Sequence, residues 1–159
     1  MTVCTQNKEC LFGSIMNGQM LLNPCGEIVQ EEWLRTATLR SNVELDEFVV
    51  MPNHFHGIIF IVDGRGTARR APTFVDIAPV RERFGKPVRG SVPTILRSFK
   101  AAVTKRINES RSAPWTSVWQ RNYYEHVIRN ENELFEIRQY IQNNPMKWDL
   151  DPENLLAKR

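Results

Sequence analysis

The chain has 159 residues, 42% hydrophobic and 25% charged, which fits one globular domain with a core of its own and excludes a disordered or collagen-like chain. No apolar run reaches membrane-spanning length, and the first residues lack the charged head and apolar stretch of a secretory leader. The formal net charge of +3 is unevenly spread: between Gly64 and Arg106 stand eleven Lys/Arg against two carboxylates, while the remainder is net acidic.

A basic block on a mildly acidic body points to a polyanionic partner; a solvated basic loop is the alternative. Cys4, Cys10 and Cys25 are odd in number and contain no CxxC pair. They read as reduced thiols of a cytoplasmic protein rather than a disulfide framework or a zinc site.

In chain order, Val3 to Gln6 reads as the end of a strand. Leu11–Met16 and Gln19–Leu22 flank Asn17-Gly18, a dipeptide suited to the positive φ values of a tight hairpin. Asn23-Pro24 predicts an N-cap and first helical residue, with a helix to about Arg40 and Ile28, Trp33 or Leu34, and Ala37 inward. Glu44–Met51 and His54–Val62 read as strands separated by a turn at Pro52-Asn53. Asp63 to Gly90 carries no steady period and reads as a long loop. Ser91 can cap a helix to about Asn108, with Val92, Ile95, Leu96, Phe99 and Val103 as its stripe. Trp119–Ile128 reads as a strand with Tyr124, His126 and Ile128 on one side. Asn130 caps a last helix, Glu131 to about Asn144, with Leu134, Ile137 and Ile141 inward. The tail after Trp148 is polar and reads as loosely held. This order predicts an α+β chain: an antiparallel sheet with helices mainly on one face. The expected organisation is one domain over 1–150, with the loop at 63–90, and a tail over 151–159.

The sharpest local signal is Met51-Pro52-Asn53-His54-Phe55-His56-Gly57, running into Ile58-Ile59-Phe60-Ile61. Alternation along a strand puts His54 and His56 on one face, where two imidazoles can chelate one divalent ion. Two core histidines, each with a hydrogen-bond partner, are the plain alternative. The second signal is Arg138-Gln139-Tyr140-Ile141-Gln142-Asn143-Asn144-Pro145. Tyr140 and Asn144 are four apart and share a helix face. Pro145 ends the helix at Asn144, leaving its amide oxygen able to act as a hard ligand. Taken alone, a half-buried aromatic and a helix C-terminal residue explain this pair equally well.

His-hydrophobic-His followed far downstream by Tyr-x-x-x-(Gln or Asn) resembles the single-tyrosine HUH transposases, and most closely their REP-associated tyrosine branch. The stretches that carry the resemblance are Glu47–Gly57, Trp119–Arg129 and Tyr140–Pro145, with weaker similarity over Cys4–Asn23. It implies a ferredoxin-like sheet (the HUH fold) with both histidines on a central strand. It implies a Mg²⁺ or Mn²⁺ ion on His54, His56 and Asn144, and Tyr140 as nucleophile forming a 5′-phosphotyrosine. Single-stranded or hairpin DNA is the implied partner, a homodimer the implied assembly and the bacterial nucleoid the implied place of action.

Tyr123 and Tyr124 lack an amide four residues on and read as packing or base-stacking residues; His126 reads as structural. Arg69, Arg70, Arg81, Arg83, Arg89, Arg97, Lys100, Lys105 and Arg106 form, as a group, the candidate phosphate contacts. A non-cleaving DNA-binding protein is the alternative from a different class, and a replication or conjugation initiator an alternative within the same chemistry.

Overall fold

The computed structural model describes residues 1–62 and 90–155. Most of the expected basic loop, with Arg69, Arg70, Arg81, Arg83 and Arg89, lies outside the described residues.

Among the described residues, eight principal elements follow in order: β1 (Thr2–Cys4), β2 (Gly13–Met16), β3 (Gln19–Leu22), α1 (Pro24–Thr38), β4 (Val43–Val50), β5 (His54–Ile61), α2 (Val92–Ser110) and α3 (Glu131–Asn143). Short 3₁₀ helices occupy Gln6–Lys8 and Pro145–Leu150. β1, β5 and β4 form an antiparallel sheet in that order, and β2 and β3 pair as a separate hairpin. Its turn residues Asn17 and Gly18 both have positive φ, 52° and 73°, as the dipeptide predicts.

The helix starts follow their caps. Asn23 Oδ1 accepts from the Cys25 and Gly26 amides at 2.9 and 3.0 Å, and Pro24 opens α1. Ser91 caps α2 and Asn130 caps α3 in the same way. α1 turns Trp33 inward and leaves Leu34 exposed; Ala37 is only half-buried.

β5 is the central strand and divides the molecule. Phe55 faces α1 and α2, where its ring packs 4.7 Å from that of Trp33 and 5.4 Å from that of Phe99. Val3, Val29, Leu96 and Val103 complete that layer. Ile58 faces the other way and packs with Leu134 and Ile141 of α3. Two of the three long helices thus share one face of an antiparallel sheet, in the α+β arrangement expected.

Gly57 shows how tightly the first layer closes on β5. A Cβ there would lie 2.7 Å from Trp33 Cζ2 and 2.9 Å from the Phe55 ring. The absence of a side chain lets the indole lie on the strand.

β4 carries one extra residue between Leu45 and Phe48. Leu45 opposes Ile59, yet Phe48 opposes Gly57. This bulge brings consecutive residues Asp46 and Glu47 to α3, where they bind Arg138 and Gln142.

Two expectations change. Trp119–Ile128 does not form a strand. It makes isolated bridges, Trp119 to Thr5 and Tyr124 to Thr2, that are two residues out of register with each other. The segment must loop out between them, so no ladder propagates. The described residues after Trp148, up to 155, are also held rather than loose: Asp151 and Asn154 are buried. Among the described residues, no helix is long and apolar enough to cross a membrane.

Because relief at Gly57 requires moving an indole in a filled layer, Gly57→Ala should destabilise the fold by about 1–3 kcal/mol. Urea denaturation followed by tryptophan fluorescence will measure it; an unchanged midpoint would contradict this packing.

Candidate active site

The alternation that sends Phe55 into one layer sends His54 and His56 together to the α3 face. Their rings lie 4.6 Å apart, and both side chains are buried, at 0% and 6% exposure.

Each imidazole is held through Nδ1. His54 Nδ1 lies 2.9 Å from Asn53 Oδ1. The Asn53 amide nitrogen donates to the Lys8 and Glu153 carbonyls at 3.2 and 2.8 Å, which fixes its oxygen as the acceptor. The His54 proton therefore sits on Nδ1, and the Nε2 lone pair is free. That Nε2 is buried with no hydrogen-bond partner. His56 Nδ1 lies 2.8 Å from Thr2 Oγ1, and its Nε2 points to the Tyr140 hydroxyl 3.4 Å away.

α3 brings the second half of the site. It is fixed to β4 by Arg138 on Asp46, with Nε 3.0 Å from Oδ1, and by Gln142 on Glu47 at 2.9 Å. The guanidinium holds the Asp46 carboxyl below the usual carboxylate range. Tyr140 consequently lies over His56, ring centroids 5.2 Å apart, and remains half-exposed. One turn on, Asn144 is 2% exposed; its Oδ1 makes no hydrogen bond of good geometry, but its amide lies close enough to His54 and Tyr140 to act on both.

Two orphaned buried acceptors beside a second imidazole are costly in a protein interior unless something electropositive satisfies them. The donor set of two imidazole nitrogens and an amide oxygen fits a divalent ion. Asp151 adds a carboxylate: the ligand atoms of His54, His56 and Asp151 all lie within 4.8 Å of one another.

Burial sets the proton states. It pushes His56 down to about 3, helped by the neighbouring His54 and the terminal ammonium. Burial also lowers His54, against the pull of Asp151 and Glu153. Tyr140 moves up, first through burial and then through the Asp151 charge.

His54 and His56 share a face of β5 as their spacing predicts, Tyr140 lies against His56, and the Asn144 amide reaches His54 and Tyr140, the grouping that the resemblance implies. Asp151 escaped that reading, because a lone carboxylate in a polar tail carries no periodic signal. The turn signal at Pro52-Asn53 gives no sign that the Asn53 amide also orients His54. His126 binds Glu133 instead of approaching the two histidines, Tyr123 packs against the core and Tyr124 is exposed. The three cysteines are free, and none belongs to a metal-ligating group among the described residues.

The basic candidates on α2 sit in the layer opposite the histidines. Arg97 and Lys105 are exposed. Lys100 donates to the Gln120 and Arg121 carbonyls at 2.6 and 3.1 Å, and Arg106 pairs with Glu31 and Glu32.

A pH dependence follows for the metal-free protein. A histidine whose folded pKa is lowered is neutral in both states above its ordinary value of 6.5, and there costs nothing. Below that value the unfolded chain takes up protons that the fold refuses, and stability falls toward about 3. In EDTA, the urea midpoint should drop between about pH 7 and about pH 5, and His56→Gln should lessen the drop. An equal drop in the variant would show that other groups carry it.

No protein-family model matches the chain. An uncharacterized protein of Haemophilus influenzae is 42% identical over 150 residues, covering 94% of this chain and 81% of that protein. A solved structure of the REP-associated tyrosine transposase bound to a REP hairpin superposes with a TM-score of 0.60 at 18% identity, over 95% of this chain and 71% of that one. The chain therefore belongs to the family of the Haemophilus influenzae protein and has the HUH transposase fold.

Proposed function

We propose that this protein is a metal-dependent transposase of single-stranded DNA, cutting and rejoining strands through Tyr140. The observation that carries the reading is the half-exposed Tyr140 phenol 3.4 Å from His56 Nε2, beside buried, unpartnered acceptors on His54 and Asn144. The structural neighbour's hairpin-bound state supports DNA, in single-stranded or hairpin form, as the partner. A pair of chains as the working unit belongs to the same proposal.

His54, His56 and Asn144 would hold a Mg²⁺ or Mn²⁺ ion, which when bound would offset the charge of the scissile phosphate and orient it for in-line attack. Two imidazoles favour Mn²⁺ over Mg²⁺, which prefers an all-oxygen shell with several waters.

The protein's own part begins at the phenol. Burial and Asp151 hold its pKa above the ordinary value, so Tyr140 stays protonated in the resting site and is poorly nucleophilic until that proton leaves. Its oxygen then bonds to phosphorus while the bond from phosphorus to the 3′-oxygen breaks. The departing 3′-oxygen takes a proton, and the 5′-phosphate remains on the tyrosine. Attack by a second 3′-hydroxyl reverses these bonds, so rejoining needs no nucleotide cofactor. The Arg138–Asp46 and Gln142–Glu47 contacts keep α3, and with it the phenol, in place through both steps.

Tyr140→Phe keeps the ring and removes the reacting oxygen. Cleavage and the covalent protein–DNA adduct should both fall below detection, whereas Tyr123→Phe and Tyr124→Phe should retain the adduct. The adduct should travel with the fragment 3′ of the cut, as read on denaturing gels with each end labelled in turn. An adduct in Tyr140→Phe, or on the other fragment, defeats the mechanism. His54→Ala, His56→Ala or EDTA should likewise abolish cleavage.

The basic group gives a separate expectation. If Arg97, Lys105 and the arginines between 63 and 90 contact phosphates, DNA affinity should fall steeply with salt, and neutralising several of them should flatten the slope. Fluorescence anisotropy over a salt series measures this; an unchanged slope assigns them to solvated surface.

A further inference from the structure

Asp151 is not among the metal ligands of the scheme above, yet its surroundings are built. It is 7% exposed. Oδ1 accepts from the Glu153 amide at 2.7 Å, which aims Oδ2 at His54 Nε2, 3.8 Å away. That distance is too long for a hydrogen bond. Nor does the imidazole turn an N–H toward it, because the orientation of the Asn53 amide places the His54 proton on Nδ1. Two atoms with free lone pairs therefore face each other in the interior. One ion bonded to each at about 2.0–2.2 Å spans such a gap.

The segment that presents Asp151 is anchored where the histidine is anchored. Asn53 accepts from His54 through its oxygen and donates to the Glu153 carbonyl through its nitrogen. Lys8 holds the Glu153 carboxylate at 2.9 Å. Trp148, on the same segment, places its ring 6.1 Å from that of His54. One amide side chain thus sets the position of both facing atoms.

We infer that Asp151 is a carboxylate ligand of the same divalent ion, delivered by a C-terminal strap over 145–154, and that Asn53 is the positioning residue that registers this strap with His54. The inference rests on the metal reading of the site and deepens it: the ion closes the 145–154 segment onto the central strand. The strap is then part of the metal centre, and ion uptake stabilises it.

The test uses the full chain and Mn²⁺ alone, with free Mn²⁺ counted by electron paramagnetic resonance. Asp151→Asn preserves size and the bond to the Glu153 amide, and should raise the Mn²⁺ Kd at least tenfold. Without metal its Tm should equal or exceed that of the wild type, since a facing lone pair has lost its charge. The rise in Tm that Mn²⁺ gives the wild type should shrink; a merely structural aspartate would instead lower the metal-free Tm and leave the Kd alone. Asp151→Cys gives a second reading. Loaded with Co²⁺, it should show a thiolate-to-metal absorption band that the wild type lacks, because a sulfur has entered the shell. An unchanged Mn²⁺ Kd in Asp151→Asn while His56→Ala is impaired, or no band in Asp151→Cys, overturns this role of Asp151 and leaves the proposed function standing. No Mn²⁺ uptake by the wild type overturns both.

Discussion

Everything in the molecule depends on the strict alternation of β5. One strand must present Phe55 and a bare Gly57 to the aromatic layer and, in alternation with them, the imidazoles of His54 and His56 to the opposite layer. The aromatic side supplies apolar burial and rigidity. At His54 and His56 the other side is polar and buried, an arrangement that stabilises a fold only when each group has a partner. The aromatic packing and the candidate site are therefore divided between the faces of a single strand, and a slip of one residue would exchange them.

The polar face is organised from outside the histidines. Asn53 and Thr2 each engage a ring nitrogen distal to the site, so the proximal nitrogens converge. Asp46 and Glu47 set α3 from the side away from Tyr140. These four residues convert a strand and a helix that need only be near each other into a site with fixed distances.

Much of this was legible in the sequence because it is local. The spacing of His54 and His56, the spacing of Tyr140 and Asn144, the Asn-Pro helix start and the Asn-Gly hairpin all rest on periods or turns within a few residues. What was not legible depends on distant partners. Trp33 and Leu34 are adjacent, and periodicity cannot choose between them; the open space above Gly57 does. The alternation in Trp119–Ile128 is real, but whether it makes a ladder is decided by β1, with which its two bridges are out of register. Asp151 is buried because Asn53, about a hundred positions earlier, binds its neighbour Glu153, and no pattern in the tail announces that.

The bulge in β4 has a consequence for how this chain can change in length. Leu45 and Phe48 both face the aromatic layer, although an odd number of steps separates them; Asp46 and Glu47 between them both serve α3. Deletion of either acidic residue would take out the extra residue itself: Leu45 and Phe48, then two steps apart, would keep their faces in an unbroken ladder opposite Ile59 and Gly57. The single residue left between them would serve α3 alone, so the helix would lose one of its two anchors while the register survived. A deletion elsewhere in β4 has no bulge to absorb it and would turn half of the strand to the wrong layer. The strand thus tolerates a change of length at the bulge and resists it everywhere else.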